Sequence, residues 1–170
     1  MRTLILSLLL LPFTLAAQKS DVFLKLTDAS GQLIKGDATA VGFEKTIYVL
    51  SFTSAGKNNT QLNFTMSVNG ASADLKKAMA NGSLLQNGVL TVAQIISGGK
   101  PAISYTIKME GIKVNSCSES MGCNNVITTN TVLTATRIGW TYYQTSPSGV
   151  QTVSRKYGFD TATGSEWTNF

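Results

Sequence analysis

Hydrophobic and polar residues alternate along much of the chain. In QLNFTMSV, Leu62, Phe64, Met66 and Val68 fall on one face and Gln61, Asn63, Thr65 and Ser67 on the other. That period of two is the signature of a strand with one buried face. DVFLKL from Asp21, KTIYVLSF from Lys45, VLTVAQII from Val89 and ISYTIKM from Ile103 are also rich in β-branched and aromatic residues, and Gly, Asn and Ser clusters bound them. Each predicts a strand. In ISYTIKMEGIKVNS the apolar face runs through Ile103, Tyr105, Ile107 and Met109, then moves to Ile112 and Val114. The phase slips by one at Gly111, so a bulge or sharp bend is expected there. TVLTATRIGWTYYQ from Thr131 predicts a further long strand, which SPSG turns toward VQTVSRKYGF as its hairpin partner.

One segment breaks the period. In NGASADLKKAMANGSL, Ser72 is expected to cap a helix, Asp74 to favour its positive end, and Gly82 to stop it. Leu75, Ala78 and Met79 form its apolar stripe, over about two to three turns. The fold class that follows is mainly β: an antiparallel β-barrel or sandwich with one short flanking α-helix, which covers an open end.

A chain of 170 residues, 43% hydrophobic and 14% charged, fits one globular domain. Its opening, MRTLILSLLLLPFTLAAQKS, sets Arg2 before an apolar run that closes on Ala16 and Ala17. This is the layout of a signal peptide, expected over residues 1–17, with a single domain over 18–170. The run is shorter than the roughly 20 residues that span a bilayer, so no stable membrane insertion is expected. The mature protein is expected in the periplasm or outside the cell.

An oxidising destination bears on GIKVNSCSESMGCNN, which holds both cysteines. Cys117 and Cys123 are expected to pair as a disulfide staple closing a short loop, contributing roughly 2 kcal/mol. A structural zinc site wants four ligands, and the chain has two cysteines and no histidine, so no metal or cofactor is expected. Absence of histidine also removes the usual general base. Asp28, Asp37, Asp74, Glu110 and Glu166 read as turn, cap or solvated strand residues, and no catalytic residue is assigned. The net charge is +5, but the basic residues are scattered and not interleaved with aromatics. No nucleic-acid partner is expected.

VFLKL, VLSF, FTMSV leading into SADLKKAMANG, TIKMEGIKVNS, IGWTYY and KYGFD, in that order and spacing, resemble the haemolysin-coregulated protein (Hcp) family. These are tube proteins of type VI secretion systems, similar in fold to phage tail-tube proteins. The resemblance runs from about Asp21 to about Trp167. It implies a small β-barrel with a flanking helix, a hexameric ring of identical subunits, stacking of rings into a tube that carries or accompanies secreted effector proteins, and no enzymatic activity. The signal-like opening and the CSESMGC insert depart from the family pattern, and both point to export. Lys76, Lys77, Ala78 and Met79 are the candidate subunit interface, with plugging of the barrel as the helix's competing role. The alternative is a monomeric secreted ligand-binding β-sandwich whose contacts are Trp140, Tyr142 and Tyr143, for which core packing is the plainer role.

Overall fold

The computed structural model describes residues 20–55, 60–95, 101–122, 125–146 and 150–170. The segment expected as a signal peptide lies outside them. The described strands are β1 (Asp21–Thr27), β2 (Ile47–Val49), β3 (Ser51–Ser54), β4 (Gln61–Ser67), β5 (Leu85–Gln94), β6 (Ala102–Met121), β7 (Ile127–Thr145), β8 (Gln151–Asp160) and β9 (Ser165–Glu166). A single helix, α1 (Gly70–Asn81), follows β4. The fold is mainly β, as the alternation predicts.

The strands form one antiparallel sheet ordered β2-β1-β5-β6-β7-β4-β3, with β8 pairing β7 and β9 pairing β8. KTIYVLSF, expected as one strand, is split at Leu50. β2 pairs with β1 and β3 with β4, so the chain turns a corner between them. Leu50 sits at that corner, 49% exposed, and its N–H donates to the Thr65 carbonyl at 2.8 Å. Because β2 and β3 end the strand path and are neighbours in sequence, the corner closes the sheet on itself. This settles the expected barrel-or-sandwich choice as a barrel.

Inward side chains fill it. Leu24, Leu26, Ile47, Leu62, Met66, Leu90, Ile107, Met109 and Leu133 are fully buried. Each contributes about 1.5–3 kcal/mol of burial. At Gly111 the chain takes φ 60, and a Cβ there would lie 2.7 Å from Thr136 Oγ1. The pairs Glu110↔Arg137 and Ile112↔Ala135 on either side keep one register. The expected bend is therefore present without a bulge: the buried face slips in both strands together, from Met109 to Ile112 and from Ala135 to Ile138. The register shift against β7 lies further on, between Val114 and Ser116.

The cap of α1 is Asn69, three residues earlier than expected. Asn69 Oδ1 accepts from the Ala71 N–H at 2.9 Å, and Ser72 Oγ accepts from the Asn69 N–H at 3.2 Å. Ser72 is thus the return partner of a capping box, and its hydroxyl also meets Thr129 Oγ1 of β7 at 2.9 Å. Gly82 ends the helix with φ 63, as expected. Ala71, Leu75 and Ala78 are buried as the helix packs on β6, while Met79 faces outward, so the stripe is shifted one turn toward the N-terminus.

The expected pairing of Cys117 with Cys123 reaches outside the described residues. Cys117 carries a free, buried thiol within β6, opposite Thr131 of β7, and Cys123 lies outside the described residues. From Cys117 to Gly122 the chain remains paired to β7. Serine, glutamate and methionine after Cys117 read as loop because they lack an apolar face. In the fold they form an exposed hairpin arm.

Candidate assembly surface

Two exposed regions flank the barrel. The first is the outer side of α1. Lys76 pairs with Glu119 of β6 at 2.5 Å, which ties the helix to the barrel wall. Lys77 and Met79 are exposed, Met79 at 36%. Ala78 is buried against the core, so of the expected interface residues it belongs to the packing beneath the surface.

The second region is the far half of the β7–β8 hairpin. β7 pairs β4 only from Thr128 to Thr134, and β8 from Arg137 to Thr145. Thr152 to Tyr157 are exposed without a break. Among the described residues no strand pairs with β8 on its other side before Phe159. Val150, Val153, Tyr142 and Tyr157 are large apolar or aromatic side chains on this wing, each more than two-fifths exposed. An open strand edge with apolar residues beside it is a template for association.

The aromatic trio expected of a ligand site is dispersed. Trp140 is 8% exposed, stacks with Tyr157 at 6.0 Å, and donates its indole N–H to Ser54 Oγ at 2.9 Å. It is a core residue with its polar handle satisfied. Tyr142 stands across from Tyr105 of β6, rings 4.9 Å apart, and Phe52 lies beyond at 6.4 Å. This aromatic row closes one mouth of the barrel. Burial first, and then the Tyr142 hydroxyl beside it, push the Tyr105 hydroxyl pKa well up. Tyr143 is half-buried and lies on a different groove, with Val153 and Lys156.

One patch on the outer face of β4, β7 and β6 is polar and uncharged. Thr65 Oγ1 donates to Asn130 Oδ1 at 2.7 Å, and Asn63, Ser116 and Ser118 complete the patch. Such a surface is hydrated without a field of one sign.

The family model described as "Type VI secretion system effector, Hcp" matches residues 23–142. The chain belongs to the Hcp family. Its fold is similar to the crystal structure of Hcp1 from Salmonella typhimurium, with 21% identity, 87% of this chain and 99% of that chain covered, and TM-score 0.70. A solved type six secretion system protein matches at 20% identity over 88% and 100% of the two chains, TM-score 0.73. A type VI secretion system effector from Yersinia pestis matches at 14% identity over 82% and 99%, TM-score 0.67. No curated protein matches the chain.

The Hcp family model ends at Tyr142, ahead of β8 and everything after it. Sequence reasoning missed this last region as a surface. Its signal is a glycine inside each strand, in IGW and in YGF, where a missing side chain marks a close approach.

Proposed function

We propose that this Hcp-family chain is a non-enzymatic, ring-forming structural subunit, exported through a signal peptide, that assembles with copies of itself, as a hexamer on the family's pattern, and accompanies secreted effector proteins. The observation that carries the reading is the β8 wing: an unpaired edge with Val153 and Tyr157 exposed, attached to a barrel that is otherwise closed. In a ring every subunit uses two different patches. The wing supplies one, and the outer side of α1 around Lys77 and Met79 the other. The uncharged face of Asn63, Thr65, Ser118 and Asn130 suits a wet lumen.

Light scattering of the exported protein measures the assembly, and electron microscopy its shape. A discrete annular oligomer is the expected result. A monomer that persists at micromolar concentration overturns the ring, and retention of Met1 on the exported protein, read by intact mass, overturns the signal peptide.

A further inference from the structure

After β8 the chain makes a turn over Thr161 to Gly164, adds β9, and folds the segment Trp167–Phe170 back over the outer face of β6, β7 and β8. Gly139 and Gly158 are direct partners across β7 and β8. A Cβ on Gly139 would lie 2.5 Å from the Phe170 ring, and one on Gly158 equally close to that ring and in collision with the Trp167 carbonyl. The two glycines therefore form a notch in an otherwise side-chain-covered sheet, and the Phe170 ring lies over it.

Fixed groups surround the notch. The Trp167 N–H donates to the Gly158 carbonyl at 3.0 Å. Trp167 is buried, with Lys108 Nζ 5.5 Å and Arg137 Cζ 5.6 Å from its ring centre. Both cations are held by Glu110, at 3.5 Å and 3.0 Å, and Arg137 also reaches Asp160 at 4.0 Å. Lys156 Nζ donates to the Thr168 carbonyl at 2.8 Å and sits 4.8 Å from the Phe170 ring centre. Two aromatic anchors, main-chain hydrogen bonds and cations over the rings are the elements of peptide recognition.

We propose that this notch is a recognition site for a Trp-x-x-Phe peptide segment, filled in cis by the chain's own tail and able to take the same segment from a second copy. Among the described residues the two-residue β9 and these contacts hold the tail to the body, and neither Trp167 nor Phe170 belongs to the barrel's core cluster. Every copy carries one notch and one tail, the condition for exchange between neighbours at low cost. The site does not depend on ring formation, since exchange can join any two copies.

The test uses the full-length chain with Trp167→Ala and Phe170→Ala, which vacates the notch, and a fluorescently labelled Ser-Glu-Trp-Thr-Asn-Phe peptide. Saturable binding is expected. It should weaken by roughly tenfold or more when the peptide's Trp and Phe are both Ala, or when Gly158→Ala is added to the chain. Failure of the peptide to bind a variant whose circular dichroism is native overturns the site, whether or not the protein forms rings. If the double variant unfolds, Phe170→Ala alone serves in the same assay. For exchange between copies, a photo-crosslinking phenylalanine at position 170 is placed in isotopically light chain and mixed with heavy chain. Light-to-heavy crosslinks at the strands around Gly139 and Gly158 are expected, and crosslinks confined to single chains overturn the second-copy role.

Discussion

The two halves of β7 have different surroundings although one ladder to β6 runs along both. From Ile127 to Ala135 the strand lies between β6 and β4, and Thr129, Thr131, Leu133 and Ala135 enter the core in strict alternation. From Arg137 to Thr145 its other neighbour is β8, and the inward face runs out of cover: Ile138 and Trp140 are buried, but Tyr142 is 51% exposed. Main-chain hydrogen bonds are equally available to both halves. What differs is apolar burial, the larger source of stability. The near half is stabilised within one chain, and the far half, on the ring proposal, is completed by a neighbour.

The sharpest way to break that comparison is to remove buried carbon from each half. Leu133→Ala should lower unfolding stability by about 3 kcal/mol, because a cavity opens in a packed barrel. Val153→Ala should stay within about 0.5 kcal/mol in the isolated subunit. Urea melts of both variants decide it. Equal losses would mean that the wing is core in its own right.

Association should respond the other way round. Val150→Glu combined with Val153→Glu is expected to weaken assembly by about 2 kcal/mol per contact or more and give monomers, with the urea midpoint of the monomer unmoved. Light scattering reads the mass. Met79→Glu on α1 tests the second patch in the same assay. If the wing variant still assembles at wild-type concentration, the open half of β7 is simply tolerated exposure.

A smaller effect is expected where α1 meets the near half. Asn69→Ala removes the oxygen that caps Ala71 and should cost about 1 kcal/mol. Asn69 Nδ2 is buried and finds no partner among the described residues. Asn69→Ser keeps a capping oxygen and removes that orphan donor, so it should be neutral or stabilising in thermal melts. A loss equal to that of Asn69→Ala would show that the amide nitrogen is satisfied.

The near half was legible because its residues obey one rule at a time. Leu62, Phe64 and Met66 alternate, and the structure buries all three. Errors arose where two demands meet. Leu50 continues an apolar run, yet barrel closure puts a corner there. Ser72 is a good cap by type, but Asn69 reaches the helix start first and Ser72 becomes its return partner and a link to Thr129. Cys117 looked like part of a loop because its downstream neighbours are polar, although pairing to Thr128–Thr131 extends them as strand. The candidate interface was partly legible: charge picked out Lys77, and periodicity alone could not tell that Ala78 faces inward while Met79 does not. On β8 both faces are exposed, so no periodicity exists to be read. The glycine notch depends on a pairing between residues 139 and 158 that only the fold reveals.

The smallest effect concerns pH and the aromatic row between the two halves. Burial and then Tyr142 raise the pKa of the Tyr105 hydroxyl above its ordinary value of 10.0. The folded chain therefore holds this proton to higher pH than the unfolded chain does. Its contribution is fully present below pH 10 and is lost as pH rises through the folded pKa. Tyr48 acts in the same direction because it donates to Asp21 at 2.8 Å, and burial raises the Cys117 thiol as well. The urea midpoint should thus fall between about pH 9 and pH 11 in the wild type. Tyr105→Phe should shrink that fall while leaving the midpoint near pH 8 almost unchanged, since the ring still packs between Phe52 and Tyr142. Tyr142→Phe should shrink it less, because burial, the larger cause, stays in place. An undiminished alkaline loss in Tyr105→Phe would mean that water already reaches this hydroxyl and that the barrel mouth is open, which would move the boundary between covered and uncovered β7 inward from Tyr142 to Trp140.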